Sequence, residues 1–207
     1  MNYAGMLHLP CGMMEVMTKI EVENSINDIR QKLMLYMNGV TVENMRKRGV
    51  VYRLNYGVSL PDLKKLVGDY PKDHELSQGL WKQECRECKM MAALLQPADL
   101  FSPDLADLWL ETIEYPDLAD VCCMALFPFM RSASETVFRW MASDVEIVRY
   151  CGFMTMANLM HTGKVMEERY FMELKDQVTV ALKEDAVLLK QAARTVKDVY
   201  ERIYGEF

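Results

Sequence analysis

The sequence predicts an all-α protein, built as a solenoid of antiparallel helix pairs. Apolar residues recur with the 3.6-residue helical period along most of the 207 residues, and only 50–58 ("VVYRLNYGV") resembles a strand. Three segments also resemble one another, each with a tryptophan near the end of one helix, a short polar turn and a second apolar helix. A single pair of this kind cannot bury its apolar face alone, so we expect successive pairs to stack.

The three tryptophans set the repeat. Trp81, Trp109 and Trp140 are 28 and 31 positions apart. This interval is shorter than the roughly 40–47 residues of standard HEAT or armadillo repeats, so we expect HEAT-like pairs joined by short turns. The tryptophans should then lie at similar positions in three neighbouring hairpins.

Turn and capping residues give the order of the helices. Asn38-Gly39 separates the first two, while Ser59 suits the N-cap of the third and Pro61 its first turn. We predict one repeat domain over 21–207, preceded by a loosely ordered N-terminal arm over 1–20. Besides the helix after Ser59, the predicted helices cover 21–37, 41–48, 72–81, 84–95, 103–113, 116–130, 133–142, 144–161, 167–182 and 186–204.

Composition narrows the functional class. The chain has 24 Lys and Arg against 30 Asp and Glu, a formal net charge of −6, which argues against a surface coated in positive charge but not against a local basic groove. No apolar run reaches the ~18 residues of a membrane-spanning helix. The six cysteines lack the spacing of a disulfide framework, which favours a reducing cytoplasm.

Cofactor and metal motifs are missing from the sequence. Gly-rich phosphate-binding patterns are absent, so we expect no nucleotide cofactor. Cys85 and Cys88 have the spacing of half a zinc site, but they share an apolar helical face and no second ligand pair follows. We therefore expect buried thiols and no metal.

Asp120 lies outside the apolar packing stripe of its predicted helix. In the predicted helix 116–130 the packing stripe contains Leu118, Val121, Cys122, Ala125, Leu126 and Phe129. At about 100° per residue Asp120 falls opposite this stripe, beside Met124 and Phe127. In a solenoid, that face of an inner helix lines the concave groove. Asp120 is therefore either a solvated carboxylate near the helix start or a working group in the groove.

Basic residues accompany this face. Arg149 lies on the flank of the predicted helix 144–161, whose stripe includes Val145, and is either a surface arginine or a phosphate contact. Lys190, Arg194 and Lys197 share one flank of the last helix. This strip is either a solvated helix face or a contact to a DNA backbone.

Several motifs together resemble one family. The segment 55–95 contains Gly57-Val58, Leu63-Lys64, Leu80-Trp81 and Arg86-Glu87 in the order seen in the opening repeats of the AlkD-like DNA alkylation-repair glycosylases. "YPDLAD" (115–120) is similar to that family's Trp-Asp-x-x-Asp motif. "RWMASDVEIVRYC" (139–151) is similar to its Trp, Ser-Asp/Glu and Arg segment. The resemblance extends over residues 25–200.

The resemblance implies a right-handed superhelix of HEAT-like pairs with a concave groove for duplex DNA. Family members excise N3- and N7-alkylated purines without flipping the base into a pocket, as monofunctional glycosylases that use no metal. Carried over to this chain, the catalytic aspartate matches Asp120 and the groove arginine matches Arg149. We expect a monomer acting on alkylated DNA.

Two aromatic positions differ from the family pattern. The catalytic tryptophan of the motif should stand at Pro116, and a second tryptophan at Thr195. Tyr115 is adjacent to the first position and is a candidate replacement for that aromatic wall. Two hypotheses therefore stand: an alkylpurine DNA glycosylase, and a catalytically silent helical-repeat module that binds DNA or a protein partner through the same groove.

Overall fold

The computed structural model describes residues 17–163 and 168–207, and these ranges are helical with short connections. The one β contact within them is an isolated parallel bridge between Leu54 and Cys85. The α-helices are α1 (Lys19–Leu35), α2 (Gly39–Lys47), α3 (Leu60–Val67), α4 (His74–Trp81), α5 (Arg86–Leu95), α6 (Pro103–Leu110), α7 (Pro116–Ala125), α8 (Ala133–Met141), α9 (Glu146–His161), α10 (Glu168–Lys183) and α11 (Val187–Tyr204), with 3₁₀ turns at Ala98–Leu100 and Phe127–Phe129.

Polar side chains cap the first three helices. Thr18 and Glu21 form a capping box on α1, and Asn38 accepts the Thr41 N–H to cap α2. Ser59 caps α3 as predicted. Of the predicted N-terminal arm, residues 1–16 lie outside the described residues, and α1 begins two residues earlier than expected, at Lys19.

Apart from α2, the α-helices form two layers. One, the second-helix layer, consists of α3, α5, α7, α9 and α11, in which each helix packs on the next. The other, the first-helix layer, runs from α1 through α4, α6 and α8 to α10. Its contacts include α1 against α4, the Trp81–Trp109 stack between α4 and α6, and a Phe138–Tyr170 stack between α8 and α10. This arrangement confirms the predicted all-α, HEAT-like repeat fold.

The tryptophans occupy equivalent places, as predicted. Trp81 is the last residue of α4, and Trp109 and Trp140 are the penultimate residues of α6 and α8. The Trp81 and Trp109 rings are parallel with centroids 3.8 Å apart, whereas Phe127 packs against Trp140 at 5.0 Å. The aromatic side chains therefore join consecutive pairs into one core.

The predicted helix 116–130 is wrong beyond residue 125. Pro128 has no N–H to donate to the preceding turn, and its ring disfavours the helical conformation of the residue before it. The chain therefore leaves α7 at Ala125 and forms a 3₁₀ turn. As a result Phe127 is fully buried, while Phe129, predicted to pack, is 53% exposed. Phe127 is consequently not on the open face, by which we mean the exposed side of the second-helix layer on which Asp120 lies.

A smaller correction concerns α9. Val145, predicted in the packing stripe, is the N-cap residue and is exposed. The helix packs against α7, α8 and α11, so most of its circumference is buried. No helix in the described ranges is long and apolar enough to cross a membrane.

Candidate functional site

The strand-like segment 50–58 lies across the start of α5. The Leu54 N–H donates to the Glu84 carbonyl, and the Arg86 N–H donates to the Leu54 carbonyl. These two bonds satisfy the backbone N–H and carbonyl of Leu54 without a sheet. They also bring Tyr52 to the beginning of α7.

A buried carboxylate fixes the end of this segment. Glu87 is fully buried and accepts the backbone N–H groups of Tyr56, Gly57 and Val58 at 3.0, 3.0 and 3.2 Å. Gly57 has φ of +70°, and a Cβ there would lie 2.4 Å from the Asn38 carbonyl oxygen, so no other residue fits. The motif residues Gly57-Val58 and Glu87 thus form one structural contact.

Arg86 extends this contact to α7. Its Nη1 lies 2.9 Å from Glu87 and its Nε lies 2.6 Å from Asp117, with the arginine side chain only 12% exposed. Tyr52 donates its hydroxyl to the other Asp117 oxygen at 2.7 Å. Asp117 also lies in the first turn of α7, where the helix dipole favours a negative charge. Both of its oxygens are therefore engaged in holding the fold together.

Asp120 lies one turn further along α7 and is held differently. It is exposed, as the helical phase predicts, and its one hydrogen bond within the described residues comes from the Tyr150 hydroxyl, 2.5 Å from Oδ1. Partial burial of the carboxyl group raises the pKa of Asp120, the Tyr150 hydrogen bond opposes that rise, and the charge of Asp117 adds to it. Oδ2 has no hydrogen-bond donor among residues 17–163 and 168–207.

Tyr115 and Tyr52 form an aromatic pair at the start of α7. Their ring centroids are 5.0 Å apart with an interplanar angle of 60°, and the Tyr115 hydroxyl donates to the Val51 carbonyl at 3.2 Å. Tyr115 is the N-cap residue, so this pair stands about one turn from Asp120. Tyr52 was not among the predicted site residues, because its only signal in the sequence is its place in the strand-like stretch.

Arg149 is on the predicted flank of α9 but already has a carboxylate partner. Its Nη1 and Nη2 each lie 2.7 Å from an oxygen of Glu184, in the turn before α11, and its Nε donates to the Met141 carbonyl. The hydrogen bonds to Glu184 raise the pKa of Arg149, and those from Arg149 lower the pKa of Glu184. A phosphate reaching Arg149 must therefore share or displace Glu184.

The predicted basic strip follows one flank of α11. Lys190 lies 4.0 Å from Asp185 and Lys197 lies 3.8 Å from Glu201, while Arg194 is exposed. Glu201 follows Lys197 by four residues and therefore lies on the same flank, so the strip that was predicted to be basic also contains an acid. Because α9 lies between α7 and α11, the strip and Asp120 stand on opposite sides of α9.

Cys85 and Cys88 are buried free thiols, and no group of three or more potential ligands that could hold a metal occurs among the described residues. The fold and the residues around Asp120 define a helical-repeat protein of the HEAT-like class. A family model described as "DNA alkylation repair enzyme" matches residues 29–195, and the chain belongs to this family.

A solved structure with the same fold is described as "A new family of proteins related to the HEAT-like repeat DNA glycosylases with affinity for branched DNA structures". It superposes with a TM-score of 0.77 at 16% sequence identity, over 86% of this chain and 76% of the other. The comparison with curated proteins gave no match.

Proposed function

We propose that this protein binds duplex DNA across the open face of its second-helix layer and hydrolyses the N-glycosidic bond of N3- or N7-alkylated purines. The observation that carries the proposal is the contrast on α7. Asp117 has both oxygens engaged by Arg86 and Tyr52, whereas Asp120 is exposed and its Oδ2 has no donor in the described part of the chain. Membership of the DNA alkylation repair family supports a reaction on alkylated DNA.

The chemistry needs a preformed negative charge. As the bond from the sugar C1′ to the purine nitrogen breaks, its electron pair leaves with the cationic base, which departs neutral, and positive charge develops on the sugar. Water then attacks C1′ and loses a proton. A carboxylate fixed beside the sugar stabilises that charge and orients the water, and Oδ2 of Asp120 is available for both tasks.

Aromatic and basic side chains have supporting roles in this proposal. The Tyr115–Tyr52 pair offers aromatic surface about one turn from Asp120, where a cationic base would be attracted to a ring face. Arg149, together with Lys190, Arg194 and Lys197, would contact backbone phosphates on the other side of α9.

The test is release of free base from duplex DNA containing N7-methylguanine. We expect the wild-type protein to release base and Asp120→Asn to lose about 10²–10³ in single-turnover rate, the scale seen when one preorganised electrostatic group is removed. Asp104→Asn is the matched control, because Asp104 is an exposed first-turn aspartate in the first-helix layer. Base release by Asp120→Asn at the wild-type rate contradicts the proposal.

Pro116 and Thr195, which replace the two tryptophans, favour a second candidate function. In it the same face binds DNA without chemistry. The structural relative, described as having affinity for branched DNA, suggests the ligand. Fluorescence anisotropy with a four-way junction and a duplex of equal length distinguishes the two. Tighter junction binding without base release supports this alternative, and equal binding with base release contradicts it.

A further inference from the structure

Asp120 has a partner in the next helix of its layer. Tyr150 is in the second turn of α9, only 7% exposed, and its hydroxyl lies 2.5 Å from Asp120 Oδ1. Burial and the hydrogen bond to Asp120 raise the pKa of Tyr150, so the phenol remains a donor at neutral pH. The ring is anchored in the α7–α9 contact, which makes the hydroxyl a fixed point.

We propose that Tyr150 is the positioning residue of Asp120. Its hydroxyl holds Oδ1 toward α9, and Oδ2 is thereby directed to the open face. This inference rests on the proposed function for its purpose, but the hydrogen-bonded pair itself is independent of any reaction. A short hydrogen bond from a buried donor to a carboxylate fixes the side-chain rotamer and favours the ionised form.

The other charged groups near Asp120 are directed elsewhere. On α7, Asp117 disfavours the Asp120 charge but is itself bound to Arg86 of α5 and to Tyr52. On α9, the Cys151 backbone carbonyl accepts from the Cys123 thiol, and the Cys123 side chain and burial raise the pKa of the Cys151 thiol. The adjoining 3₁₀ turn contains only Phe and Pro. Tyr150 is therefore the donor that opposes the rise in the pKa of Asp120 caused by partial burial and by Asp117.

The chain contains its own control for this pair. Tyr70 donates its hydroxyl to Asp28 at the same distance, 2.5 Å, but between the turn after α3 and the exposed surface of α1. Tyr70→Phe removes an equivalent Tyr–Asp hydrogen bond far from α7. Each substitution deletes one oxygen and keeps the ring, so packing is preserved in both.

The first measurement follows the Asp120 carboxyl carbon by NMR as pH is varied, in the unliganded wild type, Tyr150→Phe and Tyr70→Phe. We expect the midpoint of the Asp120 titration to rise in Tyr150→Phe and to be unchanged in Tyr70→Phe. An unchanged midpoint in Tyr150→Phe overturns the proposal. Asp120→Asn identifies the resonance. Should Tyr150→Phe fail to fold, the phenolic Cζ of Tyr150 is followed in wild type instead, and its chemical shift should change with the midpoint of the Asp120 titration. A Cζ shift that ignores the Asp120 titration overturns the proposal.

The second measurement is the pH profile of base release. We expect the acidic limb to move to higher pH in Tyr150→Phe, with a loss of about tenfold at pH values above it because the carboxylate is less well oriented. In an Asp120→Asn background the same change should cost nothing further. A purely structural Tyr150 would leave the limb in place. If the titration shifts but wild type releases no base, the pair stands and the glycosylase function falls.

Discussion

Asp117 and Asp120 lie one turn apart on α7, yet they have opposite environments. Asp117 accepts from Arg86 and Tyr52, groups supplied by α5 and by the segment before α3. Asp120 has one donor among the described residues, Tyr150, and partial burial raises the pKa of Asp120. The first carboxylate joins three parts of the chain, and the second keeps a free oxygen at a cost to stability. A fold retains such a group most readily where it has a chemical task.

The largest effect should come from the buried end of the Asp117 network. Glu87→Gln leaves three backbone N–H donors facing an amide and removes the charge opposite Arg86, so we expect a loss of about 3–5 kcal/mol in the free energy of unfolding. Urea denaturation measures it. Glu75→Gln, an exposed first-turn glutamate of α4, is the control and should change little. Equal stability of the two variants would show that Glu87 does not hold segment 56–58.

A DNA-binding effect should follow at Arg149. Arg149→Ala should weaken duplex binding and reduce the slope of log affinity against log salt by about 0.9, the value for one phosphate contact. Arg139→Ala is the control, because Arg139 is likewise paired with a carboxylate, that of Asp107, but lies in the first-helix layer. A slope that is unaltered in Arg149→Ala would remove Arg149 from the interface.

The partner of Arg149 should have the opposite effect. Glu184→Gln frees the guanidinium and removes a negative charge, so duplex affinity should rise about two- to fivefold, as for release of a partly exposed ion pair. In titrations at increasing salt, the DNA affinities of wild type and Glu184→Gln should converge, because salt screens the charge that the substitution removes. Weaker binding by Glu184→Gln would mean that Glu184 orients Arg149 for phosphate rather than competing with it.

The smallest effect concerns pH and stability. The pKa of Glu184 is lowered by Arg149, so its contribution to stability is present above the unfolded-state pKa and is lost as pH falls through the lower folded-state pKa. Thermal melts of wild type and Glu184→Gln should therefore differ at pH 7 and converge in acid below the usual glutamate range. A constant difference across that range would contradict the ion pair.

Helical period and tryptophan spacing were sufficient to predict the fold because each pair buries its face on the next one. They failed at Phe127, where Pro128 ends the helix and reverses which phenylalanine is buried. The helical phase predicted correctly that Asp120 is exposed, because which side of a helix a residue occupies depends only on local geometry. It could not find Tyr52 or Tyr150, since their partners are 65 and 30 residues away and only the packing of segments brings them together.

The central claim, that Asp117 maintains the fold while Asp120 performs chemistry, is tested most directly by measuring unfolding free energy and base release on Asp117→Asn and Asp120→Asn together. We predict that Asp117→Asn loses about 1.5–3 kcal/mol, as for hydrogen bonds to a charged group. Asp120→Asn should lose base release but keep its free energy of unfolding within ~0.5 kcal/mol of wild type. The reason is that the pKa of Asp120 is raised in the folded protein, so ionisation above that pKa disfavours the fold. Loss of stability in Asp120→Asn with unchanged base release would contradict the account.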